Sequence, residues 1–343
     1  MKAILKADDS AGSFVVRDVP VPEISDTEVL IQIKATGLCY SDMSILNNTY
    51  KGRKPVPLPL IMGHEASGIV AKLGSGVTSF QVGQRVCFEA MNGCGVCHAC
   101  RTGNKNMCKD WDHIGITYDG TFGEYMRIPA ELVHPLPDSV DFVSAAILEP
   151  LSLVVRSIEH VQPRIGETAA VIGPGSVGLL HVEALKAAGA SKIIVIGLDA
   201  DKLRFEIARE VGATHVVNAS VEDPVQAVRK ITGGDGVDIL IETASSPKVW
   251  DYMLDLLASK GRLSCFGLYP EAKFQPLTVI RNGISIYGDV AFVQRHFIRA
   301  IQWLEAGKIN VAPLITKRFT FDQAAEAFEA FRAKETVKCM FEL

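Results

Sequence analysis

Residues 168–178 read TAAVIGPGSVG, and this stretch decides the fold of the second half of the chain. The first five residues form an apolar run typical of a buried strand, and the last six match the pattern G-x-G-x-x-G. The pattern assigns Gly173 to the turn, Gly175 to close approach of the backbone to a pyrophosphate, and Gly178 to helix packing. A helical stripe of apolar residues follows at Val177, Leu180, Ala184 and Ala188. The order of strand, glycine turn and helix therefore predicts a dinucleotide site.

The start of this helix is the predicted anion-binding element. Backbone N–H groups from Gly175, Ser176 and Val177 onward have no partner within a helix, so they are available to a phosphate. A glycine-rich turn without a ligand is the alternative interpretation of the same residues.

Strands and helices alternate around this motif. Helical patterns at 177–188 and 202–211 lie between apolar runs of strand length, which predicts a doubly wound parallel sheet of α/β class. The predicted buried strands are 168–172, 193–196, 215–217, 237–241, 262–266 and 284–287. Two further helical patterns, 292–306 and 321–333, follow the sheet.

The first 150 residues have a different pattern, with short strands broken by Gly and Pro. Predicted strands here are 28–34, 67–73 and 83–88. The chain has 343 residues and is 48% hydrophobic, which is enough for two domains that meet near residue 150.

Charge and hydropathy exclude several classes of partner. The formal net charge is −4 and no basic tract is present, which argues against nucleic-acid or anionic-membrane binding. The first ten residues, MKAILKADDS, contain no apolar segment of signal-peptide length, and no uncharged run could span a bilayer. We therefore expect a soluble, cytoplasmic protein with reduced thiols.

Four cysteines lie within fifteen residues, in the spacing C-x2-C-x2-C-x7-C. This spacing predicts a closed tetrahedral Zn²⁺ site in a lobe at about residues 90–110. The ligands would be Cys94, Cys97, Cys100 and Cys108. Paired disulfides, a redox-active C-x-x-C pair and an iron–sulfur cluster are the alternatives. A closed site leaves no position for a substrate, so catalysis must occur elsewhere.

Four other residues are candidates for a catalytic metal site: Cys39, His64, Glu65 and Glu149. Each alone is ordinary, since a single Cys is commonly a small buried apolar residue and a single His commonly a structural one. Together they offer thiolate, imidazole and carboxylate, which Zn²⁺ accepts in sites that keep one position open.

Six motifs in order resemble the zinc-dependent medium-chain dehydrogenases, in the branch of the sorbitol (polyol) and threonine dehydrogenases. The motifs are Cys39-Tyr-Ser-Asp42, Gly63-His-Glu65, the four cysteines, Gly120-Thr-Phe-Gly-Glu-Tyr125, Glu149-Pro150 and the turn from Gly173 to Gly178. The resemblance covers essentially the whole chain. It implies a GroES-like, β-rich catalytic domain of residues 1–152 and 288–343, with a Rossmann domain of residues 153–287 inserted between them.

The resemblance also implies the site. Cys39 and His64 would hold a catalytic zinc, with Glu65 and Glu149 as third ligand or exchangeable carboxylates. Ser41 would pass the substrate hydroxyl proton toward the nicotinamide ribose, or would only satisfy a local turn. Many relatives have a His three residues later, where this chain has Ser44, so Glu149 or water would replace that outer proton relay.

The cofactor prediction is NAD, with NADP as the alternative. Gly197 stands where an acidic residue usually binds the ribose, after the second strand of the nucleotide domain, and Asp199 follows two residues later. Gly197 would leave room for a 2′-phosphate that Lys202 or Arg204 could neutralise, whereas Asp199 would repel it. By resemblance, Thr243, Phe266 and Gly267 flank the nicotinamide, or form turns without ligand contact.

The expected reaction is hydride transfer between a secondary alcohol, a polyol or sugar alcohol that becomes a ketose, and NAD(P). L-Threonine or another amino alcohol, and a polyol phosphate, are alternative substrates. Sorbitol dehydrogenases have a polyol-binding Arg near the position where this chain has Ala291, so the resemblance does not specify sorbitol itself. The loop at 47–54 contains cations that either bind an anionic substrate or are simply solvated. A zinc-free reductase and a noncatalytic nucleotide-binding zinc protein are the other hypotheses. The resemblance implies a homotetramer or homodimer.

Overall fold

The computed structural model describes all 343 residues, which form two compact units. Unit 1 comprises residues 1–150, 292–306 and 315–343, and unit 2 comprises residues 151–291 and 307–314. Within unit 2, the Asn310 N–H donates to the Glu183 carboxylate at 3.3 Å, which attaches the segment 307–314 to the rest of that unit.

Eighteen strands are present in chain order. They are β1 (Lys2–Lys6), β2 (Val15–Asp18), β3 (Glu28–Gly37), β4 (Leu60–Ile61), β5 (Glu65–Leu73), β6 (Arg85–Phe88), β7 (Met91–Asn92), β8 (Asp112–His113), β9 (Tyr125–Pro129), β10 (Val133–Pro135), β11 (Thr168–Ile172), β12 (Lys192–Gly197), β13 (His215–Asn218), β14 (Val237–Glu242), β15 (Leu257–Cys265), β16 (Ser285–Gly288), β17 (Ile315–Phe319) and β18 (Lys338–Glu342).

Ten α-helices accompany them, and none is both long and apolar enough to cross a bilayer. They are α1 (Tyr40–Leu46), α2 (His98–Arg101), α3 (Phe142–Ala145), α4 (Leu148–Val161), α5 (Ser176–Ala187), α6 (Lys202–Val211), α7 (Pro224–Thr232), α8 (Pro276–Asn282), α9 (Gln294–Glu305) and α10 (Ala324–Arg332). Short 3₁₀ helices span Lys105–Met107, Ala130–Leu132, Asp199–Asp201, Pro247–Asp251, Met253–Leu256, Ala312–Leu314 and Phe321–Gln323.

Unit 1 is built on a seven-stranded sheet that joins both ends of the chain. Its strand order is β10-β6-β5-β3-β18-β17, and β9 also pairs with β3. The final strand β18 runs antiparallel to β3, with Met340 opposite Gly37. Alternate residues of β3, including Val29, Ile31 and Ile33, enter a core that is closed by Val70 and other apolar residues. A three-stranded sheet, β2-β1-β4, and the pair β7-β8 complete the strands of unit 1.

Unit 2 is a six-stranded, all-parallel sheet in the order β13-β12-β11-β14-β15-β16. The central strands are almost continuously apolar and buried, as expected for a parallel sheet covered by helices on both faces. The order reverses between β11 and β14, which makes the carboxyl ends of these strands the expected ligand position. The doubly wound α/β prediction is confirmed.

The predicted strand at 284–287 is more exposed than the sequence analysis expects. The predicted strand at 284–287 is β16, whose Ser285 and Ile286 are exposed. It forms the edge of the sheet and pairs only with β15, so no neighbouring strand covers its other side.

Candidate catalytic metal site

The buried carboxylate of Asp42 joins the two chain segments that carry the predicted metal ligands. Cys39 lies at the N-cap of α1, directly after β3, and its backbone N–H donates to Asp42 Oδ2 at 2.9 Å. The N–H of Gly63 donates to Asp42 Oδ1 at 3.1 Å. Burial raises the pKa of Asp42, while the nearby His64 and these two N–H donors oppose that rise. Asp42 therefore fixes the backbone on both sides of the site.

Cys39, His64 and Glu65 are brought together by this arrangement. Their ligand atoms all lie within 4.8 Å of one another, although His64 and Glu65 follow Cys39 by more than twenty residues. His64 Nδ1 lies 3.6 Å from Asp42 Oδ1 and has no hydrogen bond, and Nε2 lies 3.3 Å from the Ser41 hydroxyl. Ser41 is thus within contact distance of the cluster, as the resemblance implies.

Glu65 is wholly buried and is paired with Lys338, a buried residue of the last strand. The Lys338 ammonium also donates to the Leu38 carbonyl at 3.1 Å. Burial lowers the pKa of Lys338, but the Glu65 carboxylate and other anions of the site raise it above its ordinary value. The ammonium is therefore held in its charged form between anionic groups.

Glu149 lies in the first turn of α4 and does not join the three-residue group. It is near enough to His64 for the two charges to influence each other. Burial raises the pKa of Glu149 to about 7, with His64 opposing and Glu65 reinforcing the rise. Several buried anions thus face one another with a single ammonium among them.

This donor set fits Zn²⁺. Thiolate, imidazole and carboxylate are its usual protein ligands, and a dication would neutralise the buried negative charge. The His64 ring shows how anionic the surroundings are, since burial lowers its pKa but Asp42 and Cys39 raise it to about 10.

Sequence reasoning missed three residues of this region as site residues: Asp42, His113 and Lys338. The His113 ring meets His64 edge-on, with centroids 5.2 Å apart. Asp42 was visible as the third helical residue after Cys39, a position where carboxylates cap helices. No sequence pattern indicates that Lys338 belongs to this region, because only the pairing of β18 with β3 brings it to Glu65.

The four-cysteine lobe is compact. The sulfurs of Cys94, Cys97, Cys100 and Cys108 all lie within 4.8 Å of one another, and none of the chain's eight cysteines forms a disulfide. Cys97 and Cys108 Sγ are 3.7 Å apart, close to the ~3.8 Å edge of a tetrahedron with Zn–S bonds of about 2.3 Å. A Cβ on Gly93 would lie 2.6 Å from Cys100 Sγ, so glycine is needed there. The cluster fits a tetrahedral metal ion.

Cations attach this lobe to the rest of unit 1. Lys105 donates to the buried Glu89 at 2.7 Å, and His134 contacts the same carboxylate at 3.0 Å. Arg53 donates to the Cys108 carbonyl at 2.6 Å, and Lys54 pairs with Asp110 and Asp112. Two cations of the loop at 47–54 therefore have partners within the lobe.

The glycine turn of unit 2 has the predicted geometry. Gly173 has a φ of 95°, and a Cβ on Gly178 would lie 2.1 Å from the Gly173 carbonyl oxygen. Gly175 has open space where its Cβ would be, and it begins α5 with no side-chain cap. Ser176 and Val177 form the first turn of α5. Exposed backbone at a helix start fits a pyrophosphate.

Side-chain hydrogen bonds with the end of β13 and the segment that follows it fix the residues after β12. Asp199 accepts a hydrogen bond from the Asn218 side chain at 2.6 Å, and its N–H donates to Ser220 Oγ at 3.1 Å. Lys202 is exposed at the start of α6. A Cβ on Gly197 would lie 2.9 Å from the Phe205 ring, so packing explains this glycine without reference to a phosphate.

We predict that Lys338→Met destabilises the metal-free protein by about 3–5 kcal/mol, because it leaves the buried Glu65 carboxylate without its partner. Urea unfolding of the metal-free protein measures this change. Lys317→Met is the matched control, since it removes the exposed pair with Glu335 and should leave the midpoint almost unchanged. Equal midpoints for Lys338→Met and the wild type would contradict the prediction.

Comparison with known families identifies both parts of the chain. The alcohol dehydrogenase GroES-like domain matches residues 25–138, and the zinc-binding dehydrogenase family matches residues 176–306. The chain is 34% identical to sorbitol dehydrogenase of Halalkalibacterium halodurans, covering 99% of this chain and 98% of that protein. It is 36% identical to L-threonine 3-dehydrogenase of Bacillus subtilis, covering 98% and 97%.

A solved structure agrees with these matches. A zinc-binding dehydrogenase of Sinorhizobium meliloti 1021 bound to NADP superimposes with a TM-score of 0.92 at 28% identity, covering 100% of this chain and 99% of that one. The family resemblance of the sequence motifs is confirmed. The chain belongs to the zinc-dependent medium-chain dehydrogenase family, in the branch of sorbitol and threonine dehydrogenases, and is an NAD(P)-dependent alcohol oxidoreductase.

Proposed function

We propose that this protein oxidises a neutral polyol at a secondary hydroxyl to a ketose with NAD. The observation that supports this most directly is the group formed by the half-buried Cys39 and the buried His64 and Glu65, with Glu149 near His64. Cys39 and His64 would hold the catalytic zinc, with Glu65 or Glu149 as the third, exchangeable ligand. Cys94, Cys97, Cys100 and Cys108 would hold the structural zinc.

When bound, Zn²⁺ supplies Lewis acidity that makes the substrate hydroxyl easier to deprotonate. In the overall reaction the alcohol carbon loses hydride to C4 of the oxidised nicotinamide, the hydroxyl loses a proton, and a ketone forms. Asp42 would hold the Nδ1 side of His64, which orients Nε2 as the ligand atom.

Ser41 is the proposed first acceptor of the hydroxyl proton. Its Oγ lies 3.3 Å from His64 Nε2, so a substrate hydroxyl at this cluster would be within its reach. Ser44 cannot extend this relay in the observed conformation, because its hydroxyl donates to the Tyr40 carbonyl at 3.1 Å. Water or Glu149 would carry the proton onward.

The charges near the site favour a neutral substrate over a polyol phosphate. The loop at 47–54 offers three cations for a phosphate, Lys51, Arg53 and Lys54, and two of them, Arg53 and Lys54, already bond to the cysteine lobe. Tyr50 offers a hydroxyl instead, and burial next to Cys39 raises its pKa to about 12, so it stays a neutral donor.

An amino alcohol such as L-threonine is the second candidate. The carboxylates of Glu65 and Glu149 could pair with an ammonium group, and the 36% identity to L-threonine 3-dehydrogenase supports this reading.

The cofactor preference for NAD rests on Asp199. Its carboxylate is exposed and oriented by Asn218, which suits the ribose hydroxyls and repels a 2′-phosphate. The proposed cofactor contacts are Gly173, Gly175, Ser176, Val177, Gly178, Asp199, Lys202, Thr243, Phe266 and Gly267. Free thiols throughout the chain support a reducing, cytoplasmic location.

We propose that residues 1–152 and 288–343 act as the GroES-like catalytic domain and residues 153–287 as the nucleotide domain. In the proposed homodimer or homotetramer, two copies of the chain would pair at the edge of the sheet in unit 2. Strand β16 is unpaired on one side, and Ile286 and the neighbouring Leu277 and Ile280 are exposed. Apolar residues beside an open strand edge are typical of subunit interfaces.

In a substrate screen, we expect zinc-loaded protein to form NADH with neutral polyols faster than with polyol phosphates, L-threonine or simple secondary alcohols. NAD should exceed NADP as acceptor. Cys39→Ser should lose about 100-fold or more in turnover, because metal catalysis is worth several kcal/mol. Turnover of L-threonine alone would favour an amino-alcohol dehydrogenase instead. If Cys39→Ser and the wild type had equal turnover, the proposed catalytic metal site would be refuted.

Metal analysis distinguishes the two zinc sites. We expect about two zinc ions per wild-type chain, one for each ligand cluster. Cys39→Ser and Cys100→Ser should each retain about one, and Cys100→Ser should lower the melting temperature more than Cys39→Ser, because a closed structural zinc site contributes directly to folding. Cys87→Ser, which lies in neither cluster, should retain both ions. Two ions in Cys100→Ser would contradict the assignment of the lobe.

Light scattering after gel filtration tests the subunit interface. The wild type should have a mass of two or four chains of 37.1 kDa. Ile280→Lys places a charge on the proposed interface and should reduce that mass. Ile165→Lys, at a more exposed position of the same unit, is the control and should not change it. A monomeric wild type would contradict the proposal.

A further inference from the structure

The carboxylate of Glu242 connects two loops at the carboxyl edge of the parallel sheet. Glu242 is the last residue of β14 and is completely buried. Its Oε1 accepts the N–H groups of Ala244 at 2.8 Å and Ser245 at 3.1 Å. Its Oε2 accepts the N–H of Gly267 at 3.0 Å and the hydroxyl of Tyr269 at 3.4 Å. One side chain thus ties the loop after β14 to the loop after β15.

The first of these loops packs directly on the glycine turn. Thr243 Oγ donates to the carbonyls of Ile172 and Gly173, at 3.0 and 2.8 Å. A Cβ on Gly173 would lie 2.8 Å from the Ala244 nitrogen, and a Cβ on Gly178 would lie 2.9 Å from Thr243 Oγ. The position of this loop is therefore coupled to the position of the predicted pyrophosphate site.

Backbone conformation indicates that Glu242 imposes the shape of both loops. Ser245 has a φ of 51°, a left-handed conformation that is strained for a residue other than glycine. Its N–H is held by Glu242. In the other loop, a Cβ on Gly267 would lie 2.5 Å from Glu242 Oε2, so only glycine allows this close approach. Strained backbone held by a buried acceptor is characteristic of functional sites.

The topology indicates which half of a dinucleotide these loops face. The glycine turn and β12 belong to the half of the sheet that binds the adenosine moiety. Strands β14 and β15 lie on the other side of the point where the strand order reverses, between β11 and β14. The loops held by Glu242 are therefore at the nicotinamide end.

We propose that Glu242 is a positioning residue for the nicotinamide half of the cofactor site. It acts through the backbone of residues 244, 245 and 267, and it need not touch the cofactor. The assignment rests on dinucleotide binding at the glycine turn, and it is independent of which alcohol the enzyme oxidises.

The test compares two nucleotides that share the adenosine and pyrophosphate groups. Binding of NADH and of ADP-ribose, which lacks the nicotinamide, is measured on zinc-loaded Glu242→Gln protein by fluorescence titration and calorimetry. In this variant an NH₂ group replaces one of the two carboxylate oxygens. Because an NH₂ group cannot accept hydrogen bonds, the two N–H or O–H donors that faced that oxygen lose their acceptor. We expect the Kd of NADH to rise roughly tenfold through these lost hydrogen bonds, while the Kd of ADP-ribose stays within about twofold.

Asp238→Asn is the matched control, because Asp238 is the second residue of the same strand and also accepts a backbone N–H, that of Thr168 at 2.8 Å. It should leave both affinities unchanged. Should Glu242→Gln fail to fold, Glu242→Asp gives the second test, since the shorter side chain keeps the carboxylate but withdraws it from the Gly267 and Tyr269 donors. The same selective loss of NADH binding is expected.

Unchanged NADH binding in the folded variants, or an equal loss for NADH and ADP-ribose, would overturn the proposal. Because no alcohol is present in the titration, a failed substrate screen does not alter this result.

Discussion

The buried carboxylate of Asp42 is the interaction on which the catalytic unit depends. Moving a carboxylate out of water is costly unless donors replace its hydration, and here the donors are the N–H groups of Cys39 and Gly63. The carboxylate thus holds the start of α1 against the residue that precedes His64. Any rearrangement that separated these segments would leave a buried charge without partners. The spacing of the metal ligands follows from this constraint.

The ion pair of Glu65 and Lys338 connects the predicted metal ligands to the last strand of the chain. Strand β18 lies against β3, so the ammonium of Lys338 reaches the carboxylate that follows His64. In the metal-free protein the carboxylates of Asp42, Glu65 and Glu149 face two cationic groups, Lys338 and His64, whose pKa is raised to about 10. A divalent cation bound there would add positive charge among these carboxylates and would stabilise the folded unit through its binding. Stability and metal binding are therefore coupled in this unit.

Unit 2 builds its proposed dinucleotide site mainly from backbone atoms. Gly173 and Gly178 bring the turn and its neighbours into contacts that a Cβ would prevent, and Gly175 leaves backbone exposed at the start of α5. Glu242 adds a side chain that satisfies the N–H groups of the adjoining loops. The result is a preorganised edge, in which little conformational entropy remains to be lost on binding.

Local sequence patterns determined most of the architecture and part of the site. The strand at 168–172 and the helix at 202–211 were predictable because apolar periodicity reports which face is buried, and the glycine turn because each glycine has a steric reason. The sequence also allowed the proposed metal ligands Cys39, His64, Glu65 and Glu149, and the four-cysteine cluster, to be named as candidates. Tertiary structure alone decided that Lys338 pairs with Glu65, that Arg53 and Lys54 bond to the cysteine lobe, and that Glu242 holds two loops. These contacts join residues far apart in the chain, and no local periodicity encodes which distant partner a buried charge will meet.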